Sequence, residues 1–156
     1  MNDEIFLEIG IGTRCRRIYE LLTLEMDTLY RAEGVDMSVR EFPIVYSIYC
    51  KGALSIADIQ RLSGLSHSAV SQTVKKLAEK NILIVKAGED ARSKIVDFSD
   101  DGKVLVKRLK PIWNTCIRVM KSILDECGAN ILDALTDYER TLSRKSFTDR
   151  YSETKT

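Results

Sequence analysis

Two helix starts follow one another in the stretch Ser55-Ile56-Ala57-Asp58-Ile59-Gln60-Arg61-Leu62-Ser63-Gly64-Leu65-Ser66-His67-Ser68-Ala69-Val70-Ser71-Gln72. A serine stands before each apolar run, where its hydroxyl can accept a hydrogen bond from a free N–H of the first helical turn. The glycine between the runs suits the left-handed conformation that ends a helix. The pattern predicts a short helix, a tight turn and a second helix from His67 to Lys80. One side of the short helix holds Ile56, Ile59 and Leu62.

The second helix has two faces of opposite character. Val70, Val74 and Leu77 recur at i, i+4 and i+7, so this stripe is predicted to face the interior. Burying the stripe turns four polar residues outward together, namely Ser68, Ser71, Gln72 and Lys75. Glutamine can bond the N6 and N7 edge of adenine, serine can bond phosphates or base edges, and lysine can neutralise phosphate or reach guanine. The outward face therefore has the chemistry of a helix that reads DNA.

A β-hairpin is predicted after this helix, as the only β structure in the chain. The segments 82–85 and 94–98 are rich in β-branched residues and enclose a short loop, 88–92. Arg92 at the tip, with Lys94 behind it, suits a narrow and electronegative minor groove. Asp90 would support Arg92 by orienting its guanidinium through a charge-assisted hydrogen bond.

The order of helix, tight turn, helix and basic hairpin is that of a winged helix-turn-helix. We expect a mainly α fold in one domain, residues 1–156, with this core at residues 38–99 and the small β-hairpin as its wing. Ser38-Val39-Arg40-Glu41 has the spacing of a capping box at the start of the helix before the motif, and Pro43 at the first helical position is the alternative start. Lys51-Gly52 ends this helix. Long helices are expected on either side, in residues 1–37 and 100–147.

These flanking helices carry apolar stripes that the winged core is too small to cover. One helix is predicted from Asp3 to Glu33 and a second from Asp100 to Glu126, with a bend at Pro111. A last helix follows Gly128, and the polar tail is expected to fray from Thr148. Pairing the stripes with a second chain would bury them. The sequence thus predicts a homodimer whose reading helices lie about 34 Å apart, matched to half-sites one helical turn apart.

The charge of the chain is balanced as a whole but not locally. Lys and Arg number 24 and Asp and Glu number 23. Residues 66–94 contain six basic and three acidic residues, which gives a net charge of +3. Residues 1–37 contain four basic and eight acidic residues, which gives a net charge of −4. A basic stretch on a nearly neutral protein is typical of one surface that meets a polyanion.

Other classes of protein find little support in the sequence. No apolar run approaches the roughly 20 residues of a membrane helix, and no secretion signal is visible, so a soluble, cytoplasmic protein is expected. Four cysteines without a C-x-x-C pair and a single histidine argue against a disulfide framework, a metal site or a cofactor. Catalytic pairs cannot be placed on one face, so an enzyme is not expected. Buried, reduced thiols are favoured, with redox sensing by Cys15 left open.

The sequence resembles the MarR-type transcriptional regulators between about Leu54 and Leu109. The similarity lies in residues 54–59 and 64–72, in Leu77-Ala78-Glu79-Lys80 and in the wing Asp90-Ala91-Arg92-Ser93-Lys94. It implies a dimeric repressor or activator on a pseudo-palindromic operator, with the wing arginine in the minor groove. It also implies a small-molecule effector bound between the dimer helices and the core. Residues 66–72 are similar, too, to the MarR-like domain that precedes GNAT acetyltransferase domains in some proteins.

Two functions are therefore open. The first is sequence-specific DNA binding by a regulator, through Ser66, His67, Ser68, Ser71, Gln72, Lys75, Lys76, Arg92 and Lys94, with Asp90 in support. The second is a winged-helix interaction module that docks on a separate enzyme such as an acetyltransferase. A protein-docking face would be more apolar and less charged than the face described here, so DNA binding is favoured.

Overall fold

The computed structural model describes residues 8–88 and 94–155. The chain divides into two compact units, Met1–Leu109 and Lys110–Thr156. The predicted fold class is confirmed, because helices dominate and the strands form one small antiparallel sheet. The winged core lies in the first unit, and the single domain over residues 1–156 stays a prediction.

The described part of the first unit runs from a short 3₁₀ turn to the first turns of a long helix. Its elements are the 3₁₀ turn Glu8–Gly10, α1 (Ile11–Ala32), a second 3₁₀ turn (Val39–Glu41), α2 (Phe42–Lys51), β1 (Leu54–Ser55), α3 (Ile56–Ser63), α4 (His67–Glu79), β2 (Leu83–Ala87), β3 (Lys94–Phe98) and the start of α5 (Asp100–Glu126). Within the described residues, the α-helical part of the first helix begins at Ile11, after the 3₁₀ turn, and residues 3–7 of the predicted helix lie outside them. Gly10 and Gly12 are poor helix formers, which favours this later start.

The predicted helix starts around the helix-turn-helix are confirmed by their caps. Ser55 Oγ accepts a hydrogen bond from N of Asp58 at 3.0 Å, and Ser66 Oγ accepts one from N of Ala69 at 3.3 Å. Gly64 between α3 and α4 has a φ of 69°, which glycine adopts without strain. Together these contacts set the direction in which α4 leaves the turn.

The stripe of α4 is buried as predicted. Val70 and Leu77 are fully buried and Val74 is 3% exposed, where α4 packs against α2, α3 and β2. Each such side chain contributes about 1.5–3 kcal/mol when it leaves water. On α3 the predicted apolar side is only partly right, because Leu62 is 45% exposed. Steps of three residues drift by about 60° around a helix with 3.6 residues per turn, which carries Leu62 out of the core.

The sheet has three strands in the order β1-β3-β2, all antiparallel. The hairpin is confirmed, with a register from Leu83 opposite Phe98 to Ala87 opposite Lys94. The prediction that the hairpin is the only β structure was wrong, because Leu54 and Ser55 pair with Val96 and Ile95. Two residues are too few to show the alternation by which a strand is predicted, and Ser55 also caps α3.

The second unit consists of the rest of α5, α6 (Ile131–Arg144) and α7 (Phe147–Thr154). The expectation of a fraying tail from Thr148 was wrong. Ser146 caps α7 by accepting a hydrogen bond from N of Asp149 at 3.1 Å, so a capping serine before a polar helix was overlooked. Pro111 lies inside α5, where the bend stays a prediction.

Burial of the thiols is not found within the single chain. Cys15, Cys50 and Cys127 are exposed, and Cys116 is half-buried. Burial raises the pKa of the Cys116 thiol. Cys15 lies on the apolar stripe of α1, which this chain leaves largely uncovered. Over residues 8–88 and 94–155, no helix combines the length with the hydrophobicity that a membrane crossing requires.

Gly102 is expected to be essential for the packing of α5 on the winged core. A Cβ at this position would overlap the Ile82 carbonyl oxygen and lie 3.2 Å from Cδ1 of Phe98. The Ile82 oxygen also accepts a hydrogen bond from N of Ser99 at 3.1 Å, so it cannot move freely. We expect Gly102→Ala to lower the free energy of unfolding by about 1–3 kcal/mol in urea titrations.

The matched control is Gly12→Ala, because a Cβ at this helical position meets nothing within 4 Å. Alanine favours a helix over glycine, so this variant should be as stable as the parent or up to about 1 kcal/mol more stable. Equal stability of Gly102→Ala and the parent would contradict the packing described.

Candidate DNA interface

The outward face of α4 has the composition that the sequence predicts. Ser68, Gln72 and Lys75 are exposed and Ser71 is half-buried, opposite the buried stripe. The Lys75 side chain is 79% exposed, and its ammonium lies 3.9 Å from a Glu79 carboxylate oxygen. This contact is loose and water-exposed, so it does little to hold the lysine away from another anion.

The N-terminal end of α4 adds polar groups to the same surface. Ser66 and His67 are exposed. Ser66 Oγ is occupied as the cap of the helix and also lies 3.2 Å from Ser68 Oγ. The positive end of the helix dipole lies here, which favours an anion such as phosphate. Ser66 therefore has a structural role whether or not it also meets a ligand.

A groove of about 640 Å³ joins α4 to the wing strands. Its walls come from β2, from the first residues of α3 and β3 and from nearly the whole length of α4. The lining residues are Ile56, His67, Ser71, Val74, Lys75, Ala78, Val85 and Lys94. Four predicted contact residues thus meet along one groove, although Lys94 is nineteen positions from Lys75 in the sequence. The first residue of β3 is exposed and places its cation beside the reading helix.

Two predicted residues cannot be placed. Arg92 and Asp90 lie in residues 89–93, outside the part of the chain that the structure describes. Their assignment as wing contact and supporting carboxylate stays a prediction.

Lys76 differs from the other predicted contacts because it is paired inside the protein. Its Nζ lies 2.7 Å from Oε1 of Glu41, whose side chain is only 3% exposed. The contact with the Glu41 carboxylate, and then the attraction of its charge, raise the pKa of Lys76 above the ordinary lysine value. Sequence reasoning assigned Glu41 a capping role alone, since nothing local signals a partner thirty-five residues away.

The described residues contain no group of three or more His, Cys, Asp or Glu side chains that could hold a metal ion. What the surface offers instead is a row of hydroxyl, amide and ammonium groups along one helix and one strand. Such groups make hydrogen bonds and ion pairs with phosphates and base edges.

Comparison with known proteins finds similarity to the same family in this core. Residues 37–94 match the sequence model of the MarR family. Over 104 residues the chain is 30% identical to an uncharacterized HTH-type transcriptional regulator of Bacillus subtilis, YwaE. The aligned part is 66% of this chain, and it spans 60% of the length of that curated relative.

Solved structures show the same fold. The chain resembles the M. tuberculosis transcriptional regulator MosR, solved with DNA, with a TM-score of 0.72 and 15% identity over 88% of this chain and 98% of that chain. It also resembles MepR of S. aureus, solved with DNA, with a TM-score of 0.69 and 18% identity over 82% of this chain and 97% of that chain. These relatives are named as regulators or DNA complexes rather than enzymes. The predicted resemblance to the MarR-type regulators is confirmed, because residues 37–94, which cover most of the winged core, match the sequence model of that family.

Proposed function

We propose that this chain is a sequence-specific, DNA-binding transcriptional regulator that acts as a cytoplasmic homodimer on a pseudo-palindromic operator. The observation that carries the proposal is the polar, exposed face of α4 opposite its fully buried stripe. Two proteins with this fold are named as complexes with DNA, which supports the same use of the fold here.

In the proposed complex, α4 enters the major groove. Gln72 and Lys75 are the exposed residues with the reach to meet base edges or phosphates, and Ser68 at the start of the helix meets phosphate. Lys94 and Arg92 of the wing follow the adjacent minor groove. Most of the affinity comes from phosphate neutralisation and falls with salt, while α4 supplies the sequence preference.

A second copy of the chain is the proposed cover for apolar side chains on the flanking helices. In α1, Ile18, Leu21 and Leu24 are 57%, 59% and 63% exposed. In α6, Leu132 and Leu135 are 59% and 43% exposed. Large apolar side chains that are exposed on one helix after another favour an interface, and two-fold pairing of like surfaces is the commonest way to cover them. A small-molecule effector between dimer helices and core stays a prediction from the family resemblance.

Selection of bound sequences from random duplex DNA, at a stated salt concentration, tests the proposed function. We expect enrichment of an inverted repeat whose half-sites are centred one helical turn apart, since a dimer presents two α4 helices. Absence of enrichment even in dilute buffer would contradict DNA recognition and favour the protein-docking alternative.

Lys75→Met is expected to weaken binding to the selected duplex by about 1 kcal/mol or more. The plot of the logarithm of the binding constant against the logarithm of the salt concentration should also become less steep by about 0.9, because Lys75 no longer neutralises one phosphate. Lys121→Met is the matched control, because Lys121 is 74% exposed and also pairs with an acid four residues later. Equal losses for both variants would show that general charge, rather than the face of α4, determines binding.

Leu135→Asp is expected to weaken the dimer about tenfold or more, because the new carboxylate would be buried without a partner. Sedimentation equilibrium measures the dissociation constant. Thr136→Asp introduces the same charge one position away from the stripe and should leave the dimer intact. A parent protein that sediments as a monomer at micromolar concentration would contradict the proposed assembly.

A further inference from the structure

The buried carboxylate of Glu41 is held from two directions. One oxygen accepts a hydrogen bond from N of Ser38 at 3.0 Å, which completes the capping box before α2. The other oxygen, Oε1, lies 2.7 Å from the Lys76 ammonium. Within the described residues, no hydrogen bond of good geometry reaches this buried Oε1, so its charge depends on the ion pair. An uncompensated charge at such a site is costly.

The same 3₁₀ turn is also tied to α1. The N–H of Val39 donates to Oδ1 of Asp27 at 2.6 Å, and Ser38 Oγ lies 3.5 Å from the other oxygen of that carboxylate. Asp27 therefore fixes the turn from the α1 side, and Glu41 fixes it to α4. A continuous series of contacts therefore links α1 to α4, which are far apart in the sequence. It runs through Asp27, the 3₁₀ turn, Glu41 and Lys76.

We propose that Lys76 is a positioning residue rather than a DNA contact: through Glu41 it sets the orientation of α4 against the turn that begins α2. The inference rests on the proposed function, since orientation matters for reading base edges. Gln72 and Lys75 share α4 with Lys76, so a tilt or slide of α4 moves both. Placement errors of about 1 Å are enough to lose directional hydrogen bonds to bases.

A neighbouring ion pair provides a matched comparison. Lys80, one helical turn later, lies 3.3 Å from Asp36 of the segment that leads into the same turn. The Asp36 side chain is 96% exposed, in contrast to 3% for Glu41. A pair with so exposed a partner contributes little, so Lys80→Met should change DNA affinity less than twofold at matched salt.

The test is a double-substitution cycle of Lys76→Met and Glu41→Gln. Glutamine at position 41 keeps an acceptor for the N–H of Ser38 but removes the negative charge of the carboxylate. Lys76→Met should reduce affinity for the selected duplex about tenfold, because it strands a buried carboxylate. Glu41→Gln should reduce affinity about fivefold, because the link is lost without a stranded charge. Adding Lys76→Met to Glu41→Gln should change affinity by less than twofold. In every variant the salt slope should equal that of the parent.

Three results would overturn the inference. The first is an equal loss of DNA affinity when Lys76→Met is introduced into the parent and into Glu41→Gln, together with a salt slope about 0.9 below that of the parent. This result would make Lys76 a phosphate contact. The second is parent affinity in Glu41→Gln. The third is a fall in unfolding free energy with unchanged affinity, which would make the pair structural only. If Lys76→Met alone does not fold, Glu41→Gln and the double variant still decide. Parent affinity in Glu41→Gln, or a further loss with a lower salt slope when Lys76→Met is added to it, overturns the inference.

Amide hydrogen exchange of the free protein separates this inference from the proposed function. Without DNA, α4 amides should exchange about fivefold faster in Glu41→Gln than in the parent, while those of α6 are unchanged. Unchanged exchange in α4 would contradict the link even if the parent binds DNA. If α4 amides exchange faster in Glu41→Gln but the parent binds no duplex, the proposed function is contradicted and the link between Glu41 and α4 is still supported.

Discussion

The burial of one stripe on α4 is the constraint from which the rest of the surface follows. Val70, Val74 and Leu77 lie where α4 packs against α2, α3 and β2, and none of the three is more than 3% exposed. Because the helix has 3.6 residues per turn, this choice leaves no freedom in what faces outward. The hydroxyls, the amide and the lysine of the opposite face are presented together, on a rigid element, without any contribution from loop conformation.

The charge of this region is smaller on the outside than the sequence count suggests. Of the basic residues between 66 and 94, Lys76 is paired with buried Glu41 and Lys80 lies beside Asp36. Lys75 and Lys94 are the lysines of the stretch that line the groove between α4 and the wing strands. Lys75 and Lys94 therefore present their charges where a helix and a strand meet, a shape that suits two adjacent DNA grooves better than a flat partner.

Local signals in the sequence predicted the winged core well. Serine caps, a left-handed glycine and a stripe at helical spacing each depend on residues a few positions apart, and each was found in place. The failures were of two kinds. Strand β1 and helix α7 were missed because a two-residue strand carries no alternation and a polar helix carries no apolar stripe. The Glu41 to Lys76 ion pair and the exposure of Cys15 depend on what tertiary packing brings close or leaves uncovered, which no local pattern contains.

The central claim is that the surface opposite the buried stripe of α4 is the one that meets DNA. Residue-resolved NMR of the parent protein, titrated with a duplex that contains the selected sequence, tests this directly. The account predicts that the largest amide shift changes fall on Ser68, Ser71, Gln72 and Lys75 and on the start of β3, with α6 and α7 little affected except through the dimer. Saturable binding with shift changes confined to other elements, and an unperturbed α4, would contradict it.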